Sequence, residues 1–182
     1  ILNYKKKGNK VIVVSSAMSG VTNDLIKKSK KISKSFFDAE YDVLVSSGEQ
    51  IACSLIAGRL IDRGYKSRSW LSWQVPIFTQ GSHKNSRINQ IYKNEIIKYL
   101  KAGGIPVVTG FQGVNNQKRI TTIGRGGSDA SAIMLAKFFK AYKCVIYTDV
   151  EGVYTTDPNK LHNAKKIKKI SYEEMLEMAS LG

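Results

Sequence analysis

A glycine-rich segment, residues 121–132, carries the clearest potential for chemistry in this sequence. It follows a strand-like stretch, and its second half is typical of the start of a helix. Glycines at the start of a helix leave backbone N–H groups accessible, and these groups favour anions. Arg125 can hold a carboxylate or phosphate through two parallel hydrogen bonds, and Asp129 can orient a cation or a lysine. The segment therefore predicts a site for two negatively charged small molecules, such as a nucleotide phosphate and a carboxylate.

The spacing of these glycines differs from the two commonest nucleotide-binding patterns. The segment lacks G-x-x-x-x-G-K-[ST], and Gly124-Arg125-Gly126-Gly127 does not match G-x-G-x-x-G. Gly, Ser and Asp also suit a simple turn from a strand into a helix. A purely structural role is therefore the alternative to a binding role.

Strand-like and helix-like segments alternate along the whole chain. Continuous β-branched runs, such as residues 11–15 and 105–109, are typical of strands buried on both faces. We predict helices over 24–34, 43–63, 86–101 and 128–141, further strands over 66–71, 76–79 and 143–148, a hairpin over 114–122, and a last helix that starts at Ser171. This alternation predicts a single α/β domain with a mostly parallel open sheet covered on both faces. Ligands of such sheets bind beyond the carboxyl ends of the strands.

The net charge of +15 comes mainly from clustered lysines. A nucleic-acid-binding surface is one interpretation of these clusters. Arginine, the usual reader of bases, is scarce, and no aromatic residues alternate with the basic ones. We therefore expect solvated lysine faces, no nucleic-acid partner, and a positive field that attracts anionic substrates.

The remaining composition favours a cytoplasmic protein. No apolar stretch reaches the roughly 18 residues that cross a bilayer, and no secretory leader is visible, so we expect no membrane partner. Cys53 and Cys144 lie in separate apolar stretches, which indicates buried free thiols rather than a zinc site. His83 and His162 have no carboxylate or cysteine at motif spacing. We predict surface or local hydrogen-bonding roles for both, and no metal site.

Five segments resemble those of aspartate kinases, in the same order along the chain. They are V-V-S-S-A-M-S-G-V-T-N at 13–23, S-S-G-E-Q at 46–50, G-F-Q-G at 110–113, the glycine-rich segment at 121–129, and Y-T-D-V-E-G-V-Y-T-T-D-P at 147–158. The resemblance implies a partial catalytic domain over residues 1–182 with the amino acid kinase fold, a three-layer α/β/α sandwich similar to carbamate kinase. It also implies ATP-dependent phosphorylation of the side-chain carboxylate of L-aspartate. That reaction is the first step of lysine, threonine and methionine biosynthesis.

The chemistry of an amino-acid acceptor gives several residues expected roles. Arg125 supplies a grip for the α-carboxylate, and Glu49 is the candidate partner of the ammonium group. A helix N-terminal glutamate, favoured by the helix dipole, is the alternative for Glu49. The resemblance implies that Ser16 and Thr22 contact the substrate through their hydroxyls, although Thr22 is also suited to capping the next helix. The same resemblance extends the substrate-binding set to Gly126, Gly127 and Ser128.

Catalysis and nucleotide binding are assigned through the resemblance. Asp129 is similar to the catalytic aspartate of the family, with a first-turn helix acid as the alternative, and Arg125 shares its segment. The expected nucleotide-binding residues are Thr148, Asp149, Tyr154, Asp157 and Lys160. Lys160 follows Asn159 where the family usually has arginine, and lysine supplies the charge without the two-pronged geometry. ATP is expected to arrive with Mg²⁺, which needs few protein ligands.

The resemblance also implies segments that these 182 residues do not contain. The family has a K-F-G-G-T-S segment before the first motif, and a further lysine and regulatory ACT domains after the last. We therefore expect a catalytic domain truncated at both ends, poorly active in isolation and homo-oligomeric at full length. Two alternatives remain open. One is another kinase of the same fold, acting on glutamate, acetylglutamate or a nucleotide, and the other is a basic nucleic-acid-binding module.

Overall fold

The computed structural model describes residues 1–124, 126–148, 152–156, 161, 163–167 and 169–181, with the backbone alone at 172, 176 and 179–181. The helices and strands in chain order are α1 (Leu2–Lys6), β1 (Val13–Ser15), α2 (Val21–Ile32), α3 (Asp38–Asp62), β2 (Ser67–Trp70), β3 (Ile77–Gln80), β4 (Arg87–Ile91), α4 (Asn94–Lys101), β5 (Ile105–Thr109), β6 (Gln112–Val114), β7 (Ile120–Thr122), α5 (Gly127–Phe138) and α6 (Tyr172–Leu181). In this described part of the chain, no helix is long and apolar enough to cross a membrane.

The first sheet is parallel and has the strand order β1-β5-β2. Val107 of the central strand pairs with Val13 on one side and with Ser69 on the other. All five residues of β5 are buried. A continuous apolar, β-branched run is expected for a strand that is covered on both faces, and this strand is therefore the centre of the fold.

Helices cover both faces of this sheet. Val107 packs with Leu60 of α3 on one face. Val108 points to the other face, because successive side chains of a strand alternate, and it packs in one cluster with Ile96 of α4 and Leu135 of α5. This arrangement confirms the predicted α/β/α layering.

The second sheet has the order β4-β3-β6-β7 and mixes directions. Strand β3 pairs in parallel with β6, whereas β3/β4 and β6/β7 are antiparallel, which confirms the predicted hairpin. The sheet buries a polar contact, in which the hydroxyls of Thr79 and Thr121 lie 2.6 Å apart. Gly113 is required beside it, because a Cβ at this position would lie 2.2 Å from the Thr79 methyl carbon.

Two predicted elements are wrong. The helix predicted over 86–101 begins only at Asn94, and β4 occupies its first part. Ile88 and Ile91 are both buried although they are three positions apart, a spacing typical of a helix face. A β-bulge at Phe78 and Thr79 shifts the register, so that both isoleucines reach the interior from a strand.

The second error concerns residues 143–148, which were predicted as a strand and form none. Their apolar residues favour a strand locally. No described strand pairs with this segment, so its backbone has no ladder to join, and Tyr147 is largely exposed. The predicted bounds of the other helices shift by a few residues, the largest change being the start of α3 at Asp38.

Candidate active site

One cavity of about 600 Å³ collects most of the predicted acceptor-site residues. It lies where β1 and β7 end and where α5 begins, with α3 along one wall. The residues predicted from the sequence that line it are Ser16, Thr22, Glu49, Gly126, Gly127, Ser128 and Asp129. The structure thus brings together side chains that are separated by up to about a hundred residues along the chain.

Close backbone packing joins the loop after β1 to the start of α5. The Gly110 N–H donates to the Ser15 carbonyl at 2.9 Å, and the Ser128 hydroxyl donates to the Ser16 hydroxyl at 3.1 Å. A Cβ on Gly110 would lie 3.0 Å from that carbonyl oxygen and 3.1 Å from the Ser128 Cα. Glycine at this position therefore allows the two walls of the cavity to meet.

The N-terminus of α5 opens into the cavity. Gly126 precedes the helix with φ +65°, a left-handed conformation that favours glycine, and no side chain caps the helix. The Ser131 hydroxyl donates to the Gly127 carbonyl at 2.7 Å and accepts from the Phe111 N–H at 3.0 Å, which fixes the first turn. Uncapped N–H groups at the positive end of a helix make this wall suited to an anion.

Glu49 is a buried carboxylate with one satisfied oxygen. It is 2% exposed, and its Oε1 accepts from the Ala17 N–H at 3.1 Å. Its Oε2 is buried and has no hydrogen-bond partner among the described residues. Burial raises the pKa of this carboxyl to about 6. Glu49 lies far beyond the first turn of α3, so the helix-dipole explanation considered from the sequence is wrong.

Thr22 and Asp129 occupy the first turns of two helices that border the cavity. Gly20 is the residue before α2, and no side chain caps that helix, so a capping role for Thr22 is wrong. Asp129 is half-buried in the first turn of α5, and burial raises the pKa of its carboxyl. The Asp129 charge, added to burial, raises the pKa of the Cys144 thiol.

Sequence reasoning missed Asp42, which organises the wall next to this cavity. The carboxylate is fully buried and accepts from the Thr122 N–H at 3.1 Å, the Thr122 hydroxyl at 2.6 Å and the Lys84 N–H at 3.1 Å. The His83 Nδ1 lies 2.6 Å from it. His83 thus has a hydrogen-bonding role, as predicted, but its partner lies 41 residues away along the chain and is buried. A spacing of seven residues places Asp42 on the same face of α3 as Glu49, and that spacing was the available signal.

Comparison with known families settles the membership of the chain. The model of the amino acid kinase family matches residues 1–182. The chain belongs to the amino acid kinase family. It is 49% identical over 180 residues to an aspartokinase of Rickettsia conorii, covering 97% of this chain and 45% of the relative. It is 48% identical over 182 residues to an aspartokinase of Geobacillus stearothermophilus, covering 100% and 45%. The chain thus spans less than half the length of these curated relatives.

Solved structures agree with this membership. An aspartate kinase from Synechocystis superposes with a TM-score of 0.75 at 38% identity, covering 100% of this chain and 30% of that one. E. coli aspartokinase III, solved with aspartate and ADP, gives a TM-score of 0.73 at 23% identity, covering 91% and 49%. At that identity the second likeness shows the amino acid kinase fold alone.

The predicted nucleotide-binding residues are described only in part. Arg125, Asp149, Asp157 and Lys160 lie outside the described residues, as does His162. Thr148 and Tyr154 are described, and neither is among the residues that line the cavity. Tyr154 forms an antiparallel bridge with Lys166. In the described part of the chain, no three His, Cys, Asp or Glu side chains group closely enough to hold a metal ion.

Proposed function

We propose that the chain is part of the catalytic domain of an aspartate kinase. The reaction transfers the terminal phosphoryl group of ATP to the side-chain carboxylate of L-aspartate and gives 4-phospho-L-aspartate. The observation that carries this proposal is the cavity in which buried Glu49, with its unpartnered Oε2, is grouped with the uncapped start of α5. Curated relatives at 48–49% identity that are named aspartokinases support it.

The cavity matches the charges of an amino-acid acceptor. An ammonium group beside Glu49 would compensate the unpartnered oxygen, and a positive neighbour favours the ionised form of a carboxyl whose pKa burial has raised. The N–H groups at the start of α5 suit a carboxylate, and Arg125 is proposed as its two-pronged partner. The hydroxyls of Ser16 and Thr22 complete the proposed contacts from the loop after β1 and the start of α2.

Phosphoryl transfer to a carboxylate needs positioning and charge neutralisation more than acid–base chemistry, because the nucleophile is already ionised. The start of α5 offers fixed dipoles for the charge that develops on the transferring group. Asp129 is proposed to orient a cation at this place. ATP binding is proposed for Thr148, Asp149, Tyr154, Asp157 and Lys160. Mg²⁺ is proposed to arrive on the nucleotide phosphates, because it usually keeps several waters and takes few protein ligands.

The setting of the reaction follows from the same proposal. The product would enter the biosynthesis of lysine, threonine and methionine in the cytoplasm, and the full-length protein would be a homo-oligomer.

The test is an acceptor screen with the protein expressed at the full length of its coding sequence. Formation of ADP from ATP is measured with L-aspartate, glutamate, N-acetylglutamate and nucleoside monophosphates in turn. For the three amino-acid acceptors, the acyl phosphate product is also trapped with hydroxylamine. We expect product with L-aspartate and none with the other acceptors. Preferred transfer to another acceptor would replace the proposal with a related kinase activity. Salt-dependent nucleic-acid binding without ATP binding would replace it with the nucleic-acid-binding alternative.

A further inference from the structure

The cavity has one described cation, and its position was not singled out by any sequence motif. Among the described residues that line it, Lys84 carries the only positive charge, whereas Glu49 and Asp129 both carry carboxylates. An acidic amino acid brings two further carboxylates and one ammonium group. Its binding therefore requires cations at the wall of the cavity, and Lys84 is available there.

The backbone of Lys84 is held in an unusual conformation. Its φ is +66°, in the left-handed region that side chains other than glycine rarely adopt. The buried Asp42 carboxylate accepts its N–H at 3.1 and 3.2 Å, and the same carboxylate holds the neighbouring His83. A lysine kept at such a position by a buried anchor points to a functional use of its side chain.

The ammonium group of Lys84 has two described neighbours. It contacts the Asp38 carboxylate and lies 4.6 Å from the centre of the Tyr41 ring, which also lines the cavity. The side chains of Lys84 and Asp38 are 41% and 58% exposed. Exposed ion pairs contribute little, so a substrate carboxylate in the cavity can compete with Asp38 for this ammonium group.

We propose that Lys84 is a specificity-determining residue of the acceptor site, whose ammonium group pairs with a carboxylate of the acidic acceptor. The inference rests on the proposed function and adds a second cationic contact to the one expected from Arg125. Asp38 occupies Lys84 while the site is empty and gives it up when the acceptor binds.

Steady-state kinetics of four variants in the full-length protein test this inference. Lys84→Gln removes the charge. Lys84→Gly removes the charge and also the steric cost of the positive φ, which glycine adopts readily. We expect both to raise the KM for aspartate about tenfold, with kcat and the KM for ATP within about twofold. Lys84→Gly should also unfold at a higher temperature than Lys84→Gln. Asp38→Asn should lower the KM for aspartate, since it removes the competitor. Lys98→Gln, which removes an exposed lysine from an ion pair on α4, is the matched control.

The outcomes separate the inference from the proposed function. An unchanged KM for aspartate in both Lys84 variants, with an active unsubstituted protein, would overturn the role of Lys84 alone. A fall in kcat together with similar rises in the KM values for aspartate and for ATP would show that Lys84 has a structural role. That result would also overturn the proposed role of Lys84. Failure of the unsubstituted protein to phosphorylate aspartate would refute the proposed function, and the inference with it.

Discussion

Two buried carboxylates on the same face of α3 differ in how completely the protein satisfies them. Asp42 receives hydrogen bonds on both oxygens from Thr122 and from the turn at His83 and Lys84. Glu49, two turns further along, receives one bond from the Ala17 N–H and leaves Oε2 without a described partner. Burying an unpaired carboxylate oxygen costs free energy, and this cost is expected where a ligand completes the site. Asp42 is therefore satisfied by the fold itself, whereas a ligand contact is proposed for Glu49.

The largest expected effect concerns the satisfied carboxylate. Asp42→Ala removes the acceptor of several buried donors and should lower the free energy of unfolding by about 3–5 kcal/mol. Urea denaturation measures this loss. Asp62→Ala, an exposed carboxylate on the same helix that pairs with Arg59, is the control and should change stability by less than about 0.5 kcal/mol. A loss as small as that for Asp42→Ala would remove the distinction between the two carboxylates.

The unsatisfied carboxylate should behave in the opposite way. Glu49→Gln keeps the size of the side chain and removes its charge, so it should weaken aspartate binding about a hundredfold through the loss of the ammonium partner. Its stability above pH 7 should rise, because an uncharged group no longer resists burial. Calorimetric titration with aspartate and urea denaturation measure the two effects. Glu40→Gln, the same change at an exposed position of α3, should alter neither. Unchanged aspartate affinity in Glu49→Gln would contradict the assigned role.

Because the pKa of Glu49 is raised, we expect both the stability of the protein and its affinity for aspartate to depend on pH. Its pKa is about 6 in the folded protein and 4.5 ordinarily, so the fold binds the proton more tightly than the unfolded chain does. The stability that this proton contributes, at most about 2 kcal/mol, is fully present below pH 4.5 and is lost as the pH rises through 6. The proposed contact with the ammonium group of aspartate requires the ionised form of Glu49, so we expect aspartate binding to be about tenfold weaker at pH 5 than at pH 7.5.

The difference between the unsubstituted protein and Glu49→Gln isolates this titration from those of other groups. In the unsubstituted protein, the free energy of unfolding should differ between pH 4.5 and 7.5, and the aspartate affinity should differ between pH 5 and 7.5. In Glu49→Gln both differences should be much smaller. Equal pH profiles for the two proteins would place the ionisation elsewhere.

The same contrast explains what the sequence could predict. Continuous β-branched runs such as β5 predict a buried parallel strand. Glycine-rich and serine-rich segments indicate the two loops that line the cavity, one after β1 and one at the start of α5. Glu49 was found because its segment resembles a known one. Three of the five segments that resemble aspartate kinases, at 13–23, 46–50 and 121–129, contribute residues to one cavity in the structure. Their roles toward substrate stay predictions.

What the sequence did not reveal depends on distant partners. The bonds of Asp42 reach residues about 40 and 80 positions away, and no local pattern encodes them. Strand β4 was mistaken for a helix because a bulge within it, opposite Phe78 and Thr79, gives its two buried isoleucines a helical spacing. Lys84 was missed because a lone lysine in a lysine-rich chain carries no signal until its backbone conformation and its place in the cavity are known.

The smallest expected effect tests how closely the first loop must pack beside Glu49. A Cβ on Gly48 would lie 2.9 Å from the Ala17 Cβ and 3.2 Å from a Val21 methyl carbon, whereas a Cβ on Gly58 would have nothing within 4 Å. Gly48→Ala should therefore lower the free energy of unfolding by about 1 kcal/mol through overpacking. Gly58→Ala, the same change on the same helix, should raise it by about 0.5 kcal/mol because alanine favours the helix.

The pair also separates packing from ligand binding. The loop that Gly48→Ala displaces supplies the Ala17 N–H to Glu49 and carries Ser16, so the aspartate affinity should fall together with the stability. Gly58→Ala should leave that affinity unchanged. Equal aspartate affinities in the two variants, measured by calorimetric titration, would mean that the loop after β1 tolerates displacement. In that case, close packing between this loop and α3 would not be needed for Glu49 to bind the ligand.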